Sequence, residues 1–590
     1  MRYRLAQIKT EIDEPVEKLP AHIAKALRIK ESDIKEWELR RRSIDSRKKP
    51  HIQYVYTVDF VTDRKLNTAK NRDLSLVDAE AEAAACRAPS PGSGKMKNRP
   101  VVVGVGPAGL FAALELAKAG YRPLVLERGP AMHARIQAVE RFREHRVLDP
   151  EGNMLFGEGG AGTFSDGKLG TGIKDGLIRK VLAEFRDAGA GDDIMYLAKP
   201  HIGTDVLREV IVNMRNKITE LGGEVRFDTR VDRLLIKDGA VEALELTGPE
   251  KQGAGSDGRV RYRLPADNVI LAIGHSARDT FSMLNAEHVD MEQKPFSIGV
   301  RMEHPQSLID AAQYGEENVG RLPPADYKIN YKASNGRGVY SFCMCPGGEV
   351  VVCSNEEGEL CVNGMSNRKR DSGTANSGIL CDVRTEDFGS DDVLAGVELQ
   401  RKYERLAFIN GGGDFTAPSC AMKGFVGERY YIERYGRDPE PNIVPDKDMN
   451  RDAAGNSGND LNDDTAGSPG NDPYKHRDLF VDEAEFKKTE AVRNSLPDFA
   501  AEAIREAVSS FAHKIHGYDD PDAVITAVET RSSSPVRILR GEDGQSNIRG
   551  LYPAGEGAGY AGGITSAACD GIRAAWHIIE SYSPIDSRMP

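Results

Sequence analysis

Residues 101–109 have the sequence Val101-Val102-Val103-Gly104-Val105-Gly106-Pro107-Ala108-Gly109. The run of valines predicts a buried strand, and the G-x-G-x-x-G spacing after it predicts a tight turn into a helix. Gly104 permits the turn, Gly106 lets the backbone approach a pyrophosphate, and Gly109 lets helix and strand pack closely. The N-terminus of the helix attracts phosphate. This stretch therefore predicts a Rossmann-like domain that binds a dinucleotide.

An acidic residue follows the second predicted strand of this unit. Residues 123–126 form that strand, and Glu127 comes directly after it. A carboxylate at this position can accept hydrogen bonds from both hydroxyls of an adenosine ribose. Because its charge would repel a 2′-phosphate, the sequence disfavours NADP in this site.

Further glycine-rich stretches favour FAD over NAD as the dinucleotide. Residues 156–168 are rich in glycine, residues 269–274 are a strand that ends in glycine, and Glu556 follows the strand that begins at residue 551. A flavin needs such additional backbone and carboxylate contacts along its ribityl chain and ring. The helix that begins at residues 562–564 would direct its positive N-terminus at the pyrimidine edge of the flavin and stabilise the anionic reduced form.

Together these motifs resemble one known family. The matching segments are FGEGGAGTFSDGKL (156–169), KPHIGTD (199–205), LAIGHSARDT (271–280), KPFSIGVRMEHPQ (294–306), YSFCMCPGGEV (340–350), ETRSSSPVRI (529–538) and LYPAGEGAGYAGGITSAACDGI (551–572). Through them the chain resembles the large FAD-dependent dehydrogenases of bacteria and plastids, within the two-dinucleotide-binding-domain flavoprotein superfamily. The resemblance covers nearly the whole chain except residues 438–478. It implies bound FAD and a small N-terminal α/β domain, and it implies no particular substrate.

The resemblance also implies a set of FAD contacts in this sequence. They are Gly104, Gly106, Pro107, Ala108 and Gly109 at the pyrophosphate, Glu127 and Arg128 at the adenosine, Gly160, Gly162 and Thr163 on the second glycine loop, and Val231 against the adenine, with Gly274, Gly555, Glu556, Gly562, Gly563 and Ile564 completing the set. Glu556 stands where many relatives have aspartate, and either carboxylate can accept hydrogen bonds from ribityl hydroxyls.

The sequence has no second nucleotide-binding motif that would identify the electron donor. The sequence contains neither a second strand–GxGxxG–helix unit nor a C-x-x-C pair, so it disfavours the plan of a disulfide reductase. We expect either NAD(P)H bound transiently in the substrate cleft or an electron-donor protein.

Polar residues that flavin binding does not explain are the candidates for catalysis. His275 could pass a proton near the flavin, and Arg301 and Arg531 could clamp an anionic group of the substrate. For each of them the alternative is a structural ion pair or a loop cap. Further candidates of the same kind are Asp166, Lys168, Arg278 and His304.

Four cysteines, Cys343, Cys345, Cys353 and Cys361, lie close together in the sequence. They lack the C-x2-C spacing of a zinc knuckle, and their surroundings predict a β-meander in which cysteine serves as a small core residue. We therefore expect no metal site. A redox-active thiol at Cys345 is the alternative.

Composition and charge indicate which classes of binding partner the chain favours. The chain has 590 residues and a formal net charge of −12, which argues against general coating of nucleic acid. The basic runs 40–42 and 47–49 could contact RNA, but a solvated basic face is favoured. The N-terminus has no apolar signal core, and no stretch is apolar enough to span a bilayer. We expect a cytoplasmic protein with a small-molecule substrate and no membrane contact; the oligomeric state is left open.

The sequence predicts an α/β protein in several parts. We expect an N-terminal α/β accessory domain at 1–77, a linker at 78–98, the two parts of a Rossmann-like FAD domain with a central parallel sheet at 99–290 and 530–590, and a mixed β-rich substrate domain at 291–529. Residues 438–478 are nearly devoid of apolar side chains, which predicts a disordered insertion. The predicted function is that of an FAD-dependent oxidoreductase acting on a small organic substrate. The alternatives are a tRNA-modifying flavoenzyme and a non-catalytic scaffold that binds flavin or RNA.

Overall fold

The computed structural model describes residues 1–249, 258–435 and 481–585. The insertion predicted at 438–478 lies outside the described residues. Within the described part of the chain, no helix combines the length and the apolar character needed to cross a bilayer.

The strands, in chain order, are β1 (Arg2–Glu11), β2 (Glu36–Asp45), β3 (Gln53–Val61), β4 (Leu74–Leu76), β5 (Val101–Val103), β6 (Leu124–Leu126), β7 (Glu224–Arg226), β8 (Arg230–Lys237), β9 (Ala240–Pro249), β10 (Arg259–Pro265), β11 (Val269–Leu271), β12 (Met291–Gln293), β13 (Phe296–Pro305), β14 (Asn330–Lys332), β15 (Gly338–Cys345), β16 (Glu349–Cys353), β17 (Cys361–Met365), β18 (Thr374–Val383), β19 (Ser419–Ala421), β20 (Val524–Glu529), β21 (Val536–Ile538) and β22 (Leu551–Pro553).

The α-helices are α1 (Leu19–Leu27), α2 (Ala79–Ala84), α3 (Pro107–Lys118), α4 (Met132–His145), α5 (Leu177–Asp187), α6 (Thr204–Glu220), α7 (Arg278–Ala286), α8 (Gln306–Tyr314), α9 (Ala395–Asn410), α10 (Met422–Val426), α11 (Glu428–Tyr435), α12 (Glu483–Arg493), α13 (Asp498–Lys514) and α14 (Ile564–Ser581).

A parallel sheet forms the centre of the molecule, with the strand order β22–β11–β5–β6–β7. The strands β5, β6, β11 and β22 are fully buried runs of mostly branched apolar residues, as a sheet covered on both faces requires. Because β22 comes from the C-terminal end of the chain and pairs with β11, the last part of the sequence completes the same sheet.

Glycines let α3 pack closely against β5 and the turn that follows it, and let α14 pack closely against α3. A β-carbon at Gly109 would overlap the Gly104 carbonyl oxygen, and one at Gly571 would overlap the Ala108 carbonyl oxygen. Gly109 therefore has the packing role that the G-x-G-x-x-G motif predicts.

An antiparallel sheet with the order β14–β15–β18–β13–β20–β19 forms the second layer. Its register aligns Arg301 of β13 with Gly378 of β18 and Thr526 of β20. The hairpin β16–β17 lies beside it, and α13 packs its buried apolar face on the layer. This β-rich layer corresponds in sequence to the predicted substrate domain.

The N-terminal residues form a small antiparallel sheet, β2–β3–β1–β4, with α1 packed on it. The prediction of an α/β fold with a central parallel sheet, a mixed β-rich part and a small N-terminal α/β part is confirmed. The domain boundaries remain a prediction. Part of the predicted linker is ordered, because α2 lies within it and the Gly92 amide donates to the Ile579 carbonyl oxygen at 2.8 Å.

Candidate functional site

A cleft of about 370 Å³ lies at the carboxyl edge of the parallel sheet. Val103, Leu126, Ala272 and Ala554, at or just beyond the ends of four strands, form its floor. The β-rich layer closes the same cleft from the other side with Phe342, Cys343 and Glu529, and the hairpin beside it adds Val362 and Asn363. Open α/β sheets bind ligands at this edge, outside the carboxyl ends of their strands.

Most residues predicted to contact FAD meet in this cleft. Those that line it are Gly104, Gly106, Pro107, Ala108, Glu127, Arg128, Gly160, Gly162, Val231, Gly274, Glu556, Gly562, Gly563 and Ile564. Gly109, Thr163 and Gly555 lie behind the lining. Gly109 packs helix on strand, the buried Thr163 accepts a hydrogen bond at its carbonyl oxygen from the Thr204 hydroxyl of α6 at 2.7 Å, and Gly555 donates its amide to Asp570 at 2.7 Å. These three act on the shape of the cleft and do not face it.

The glycines of the cleft form a cradle in which a cofactor can approach the backbone, because they carry no side chains. A β-carbon at Gly274, Gly562 or Gly563 would meet no protein atom within 4 Å, so these positions border open space. A β-carbon at Gly160 would come within 3.0 Å of the Gly106 α-carbon. The helices that begin here, α3 and α14, have no side-chain cap and no acidic residue in their first turns. Their free amides and dipoles suit a pyrophosphate and an anionic ring edge, so the residues present fit FAD.

Glu127 differs from its prediction in one respect. Its side chain is buried, and its carboxylate accepts hydrogen bonds from the amides of Val105 (3.0 Å), Gly129 (2.9 Å) and Gly157 (3.1 Å). A carboxylate offers about four acceptor positions. Glu127 therefore joins three loops through its carboxylate. About one acceptor position remains for a ribose hydroxyl, whereas the sequence predicted hydrogen bonds from both hydroxyls of the ribose.

The Glu556 carboxylate lines the cleft and is available to accept hydrogen bonds from a ligand. Its side chain makes no hydrogen bond to any residue that the structure describes, and it lines the cleft. Burial raises the pKa of Glu556 to about 7, although the charge of Lys294 opposes the shift. This placement suits a partner that donates hydroxyl hydrogen bonds.

His275 faces the cleft with an unsatisfied nitrogen. Its Nδ1 is buried and has no hydrogen-bond partner within the described ranges. Burial, together with the charges of Arg531, Arg278 and Lys294, lowers the pKa of His275 to about 3. The imidazole is therefore neutral at ordinary pH and can donate one hydrogen bond and accept another.

Arg531 also lines the cleft, but its guanidinium is already paired. It donates from Nε and Nη2 to the two carboxylate oxygens of Glu404, at 3.0 and 2.7 Å, and from Nη1 to Asn355. Arg278 binds the same carboxylate at 2.7 and 2.9 Å. Burial opposes the ionisation of Glu404, but the two arginines outweigh it and lower the pKa of Glu404 to about 2. The expectation that Arg531 clamps a substrate anion does not fit this pairing.

Arg301 is fully buried and does not belong to the lining residues of the described cleft. It pairs with Glu529 at 2.7 Å and donates to Asn363, Asn376 and the Cys343 carbonyl oxygen at 2.9–3.2 Å. All of its donors face protein groups, so the predicted anion clamp does not fit Arg301 either. Its partner Glu529, whose pKa burial raises to about 7 although Arg301 opposes the shift, does line the cleft.

Of the further candidates for catalysis, one is buried away from the lining of the cleft and one belongs to it. His304 is buried, with Nε2 lying 2.7 Å from the Tyr518 carbonyl oxygen, whereas Lys168 lines the cleft together with Cys343. Glu404 and Glu529 were missed at the sequence level. Glu529 begins the segment ETRSSSPVRI, and this position at the end of a strand next to Arg531 was the available signal.

The basic runs of the N-terminal part are largely paired. Arg40 lies 3.4 Å from Asp59 and 3.1 Å from Glu82, Arg42 stacks on Tyr54 and Tyr196, and Arg47 pairs with Asp45 at 2.7 Å. This pairing gives no support to an RNA contact. In the described part of the chain, no group of three or more His, Cys, Asp or Glu side chains is arranged to hold a metal ion.

Comparison with known proteins places these features in a family. The model of the family described as FAD-dependent protein, C-terminal domain-like, matches residues 295–443 and 479–532, and a domain of unknown function matches residues 2–61. An uncharacterized protein of Clostridium beijerinckii is 41% identical over 588 residues, which is 99% of each chain. The chain belongs to this family of FAD-dependent proteins.

Solved structures give weaker likenesses. The OxyS anhydrotetracycline hydroxylase from Streptomyces rimosus is 17% identical with a TM-score of 0.25, covering 51% of this chain and 48% of its own. The glycerol-3-phosphate dehydrogenase from Bacillus halodurans, complexed with FAD, is 14% identical with a TM-score of 0.26, covering 55% and 56%. The chain thus spans about half the length of these structures.

Proposed function

We propose that this member of the FAD-dependent family is an oxidoreductase that transfers hydride or electrons between FAD and a small organic substrate. One observation carries the proposal. The glycine cradle of the parallel sheet and the polar edge of the β-rich layer border one cleft, so a flavin and a substrate would meet there. When bound, FAD would supply hydride or electron transfer through N5 of its ring.

The chain's own residues have distinct tasks in this proposal. Gly106 and the first turn of α3 would bind the pyrophosphate through backbone amides, Gly160 would leave room for its approach, and the α14 N-terminus would face the ring. Glu556 accepts from the ribityl hydroxyls. His275, as a neutral imidazole with a free Nδ1, orients the substrate or holds a proton at that atom.

Arg301 and Arg531 act in this proposal as positioning residues. Arg301 holds Glu529 and the backbone of Cys343 at the cleft wall, and Arg531 is held by Glu404 beside His275. The positive charge of Arg531 also disfavours protonation of His275, which keeps the imidazole neutral.

The absorbance spectrum of the purified protein tests the proposal. We expect the two visible bands of bound flavin, and release of FAD upon denaturation. A colourless protein that FAD cannot reconstitute would contradict it. Anaerobic stopped-flow mixing with NADH and, in parallel, NADPH would then identify the reductant: bleaching by either indicates transient binding of that nucleotide, and bleaching by neither favours an electron-donor protein.

The affinity for FAD should depend on pH through Glu556. Its pKa is raised to about 7 in the free protein, and hydroxyl donors favour the ionised carboxylate. FAD should therefore bind more tightly above this pKa, by about tenfold between pH 6 and pH 8. The measurement is a flavin fluorescence titration of flavin-stripped protein at several pH values.

The Glu556→Gln variant is the matched control for this titration, because it keeps the size of the side chain and cannot ionise. Its FAD affinity should be lower at pH 8 and nearly independent of pH. Burial also raises the pKa of Glu529, to about 7. An unchanged pH slope in Glu556→Gln would assign the dependence to Glu529 or another group and refute the role of Glu556.

A further inference from the structure

A lysine and two thiols meet at the wall of the cleft. Lys168 Nζ lies 3.8 Å from Cys343 Sγ and 3.5 Å from Cys345 Sγ, with Asp166 at 3.5 Å on the same ammonium. Cys343 is half-buried and lines the cleft, whereas Cys345 is buried and does not line it within the described residues. Cys343 is therefore the thiol of this pair that a ligand in the cleft can reach.

The backbone holds Cys343 in an uncommon conformation. Its φ is +43°, in the left-handed region that non-glycine residues seldom occupy, and the pairing of β15 with β18 shifts register between Phe342 and Cys345. Arg301 fixes this bend by donating to the Cys343 carbonyl oxygen at 2.9 Å. Strained backbone of this kind persists where the surrounding structure imposes it, and it is concentrated at functional sites.

The charges around Cys343 favour its thiolate. The pKa of Cys343 is held well below its usual value by the neighbouring Cys345 thiol and by the cations Lys168 and Arg301. Burial of the thiol opposes this shift. Acidic groups oppose them: Asp166, Glu529 and Glu556 all act on Cys343 from the facing elements. The pKa of Lys168 is in turn raised, because the attraction of the thiols and Asp166 outweighs its burial.

We propose that Cys343 is a nucleophile that adds to small molecules with a carbon–carbon double bond conjugated to a carbonyl group. The sulfur lone pair forms a C–S bond at the β-carbon, the π pair moves to the α-carbon and carbonyl oxygen, and the α-carbon takes up one proton, for which the Lys168 ammonium is within reach. No electron is gained or lost. Lys168 would stabilise the thiolate before the addition and the charge on the carbonyl oxygen during it. This inference goes beyond the proposed function and does not depend on flavin turnover.

Labelling with N-ethylmaleimide, a conjugated alkene, tests the inference on the full-length protein as purified. Peptide-resolved mass spectrometry gives separate rates for Cys343 and for the partly exposed Cys86. At pH 6.5 we expect Cys343 to react at least about tenfold faster than Cys86. Between pH 8 and pH 6, the labelling rate of Cys343 should also fall less than that of N-acetylcysteine in the same solution. This comparison needs no variant.

The Lys168→Met variant tests the role of the cation. Its Cys343 rate at pH 6.5 should fall at least about tenfold, while the Cys86 rate stays unchanged and serves as the check on folding. Failure of Cys343 to react while Cys86 does, or an unchanged Cys343 rate in Lys168→Met, would overturn the inference. A protein that contains no flavin but labels Cys343 rapidly would contradict the proposed function and leave this inference standing.

Discussion

The Gly106→Trp variant should purify without FAD. Gly106 lines the cleft between the end of β5 and the start of α3. A β-carbon there would meet only the Gly160 α-carbon, at 3.8 Å, so the fold tolerates the first atom of a side chain. An indole ring would fill the space where the pyrophosphate approaches the backbone. We expect the affinity for FAD to fall at least about 100-fold, or about 2.7 kcal/mol.

Flavin content per mole of protein and a reconstitution titration measure this loss. Gly172→Trp is the matched control, because Gly172 is exposed, has open space around its β-carbon and does not line the cleft. That variant should retain FAD at the level of the unaltered protein. Stoichiometric FAD in Gly106→Trp would refute the assignment of the cleft as the flavin site.

The Glu404→Leu variant should be severely destabilised. Glu404 is fully buried, and its carboxylate neutralises Arg278 and Arg531, which are themselves buried. Leucine would leave two guanidinium groups without their shared partner in a region of low dielectric. Removing one member of a buried ion pair costs about 3–5 kcal/mol. Arg278 would keep Glu359 at 3.0 Å and Glu356 at 3.3 Å, but Arg531 would lose the one carboxylate that pairs with it among the described residues.

The midpoint of guanidinium-induced unfolding, together with the soluble yield, measures this effect. Glu398→Leu is a control on the same helix, α9, since Glu398 is exposed and pairs with Arg401 at the surface. It should stay within about 0.5 kcal/mol of the unaltered protein. Equal midpoints for the two variants would show that the buried network contributes little to stability.

The parts of the site that the sequence predicted are those specified by backbone geometry. Gly104, Gly109 and the glycines at 562 and 563 have no side chain to reorient, so the spacing of the motif determines where they lie. Their positions in the sheet and cleft follow from the strand–turn–helix pattern alone. Glu556 was also predicted, because it follows β22 and Gly555 closely enough for the strand to fix its place at the carboxyl edge of the sheet.

The predictions that did not fit concern long charged side chains. Arg301 and Arg531 were expected to face a substrate, but each is paired with a carboxylate far away in the sequence, Glu529 or Glu404. Such pairs depend on how the β-rich layer packs on the parallel sheet, and a single sequence contains no local signal for that register. The position of Cys343 in the cleft, with Cys345 turned inward, likewise results from the shift in register within β15.

The three amide hydrogen bonds of Glu127 also bear on the kinetics of cofactor uptake. Because one carboxylate joins the loops at Val105, Gly129 and Gly157, the adenosine end of the cleft is already shaped in the free protein. Assembly with the cofactor then needs little ordering of the chain, which lowers the entropic penalty of binding. The apoprotein should accordingly capture FAD in a single fast phase with little change in its hydrogen exchange at these loops.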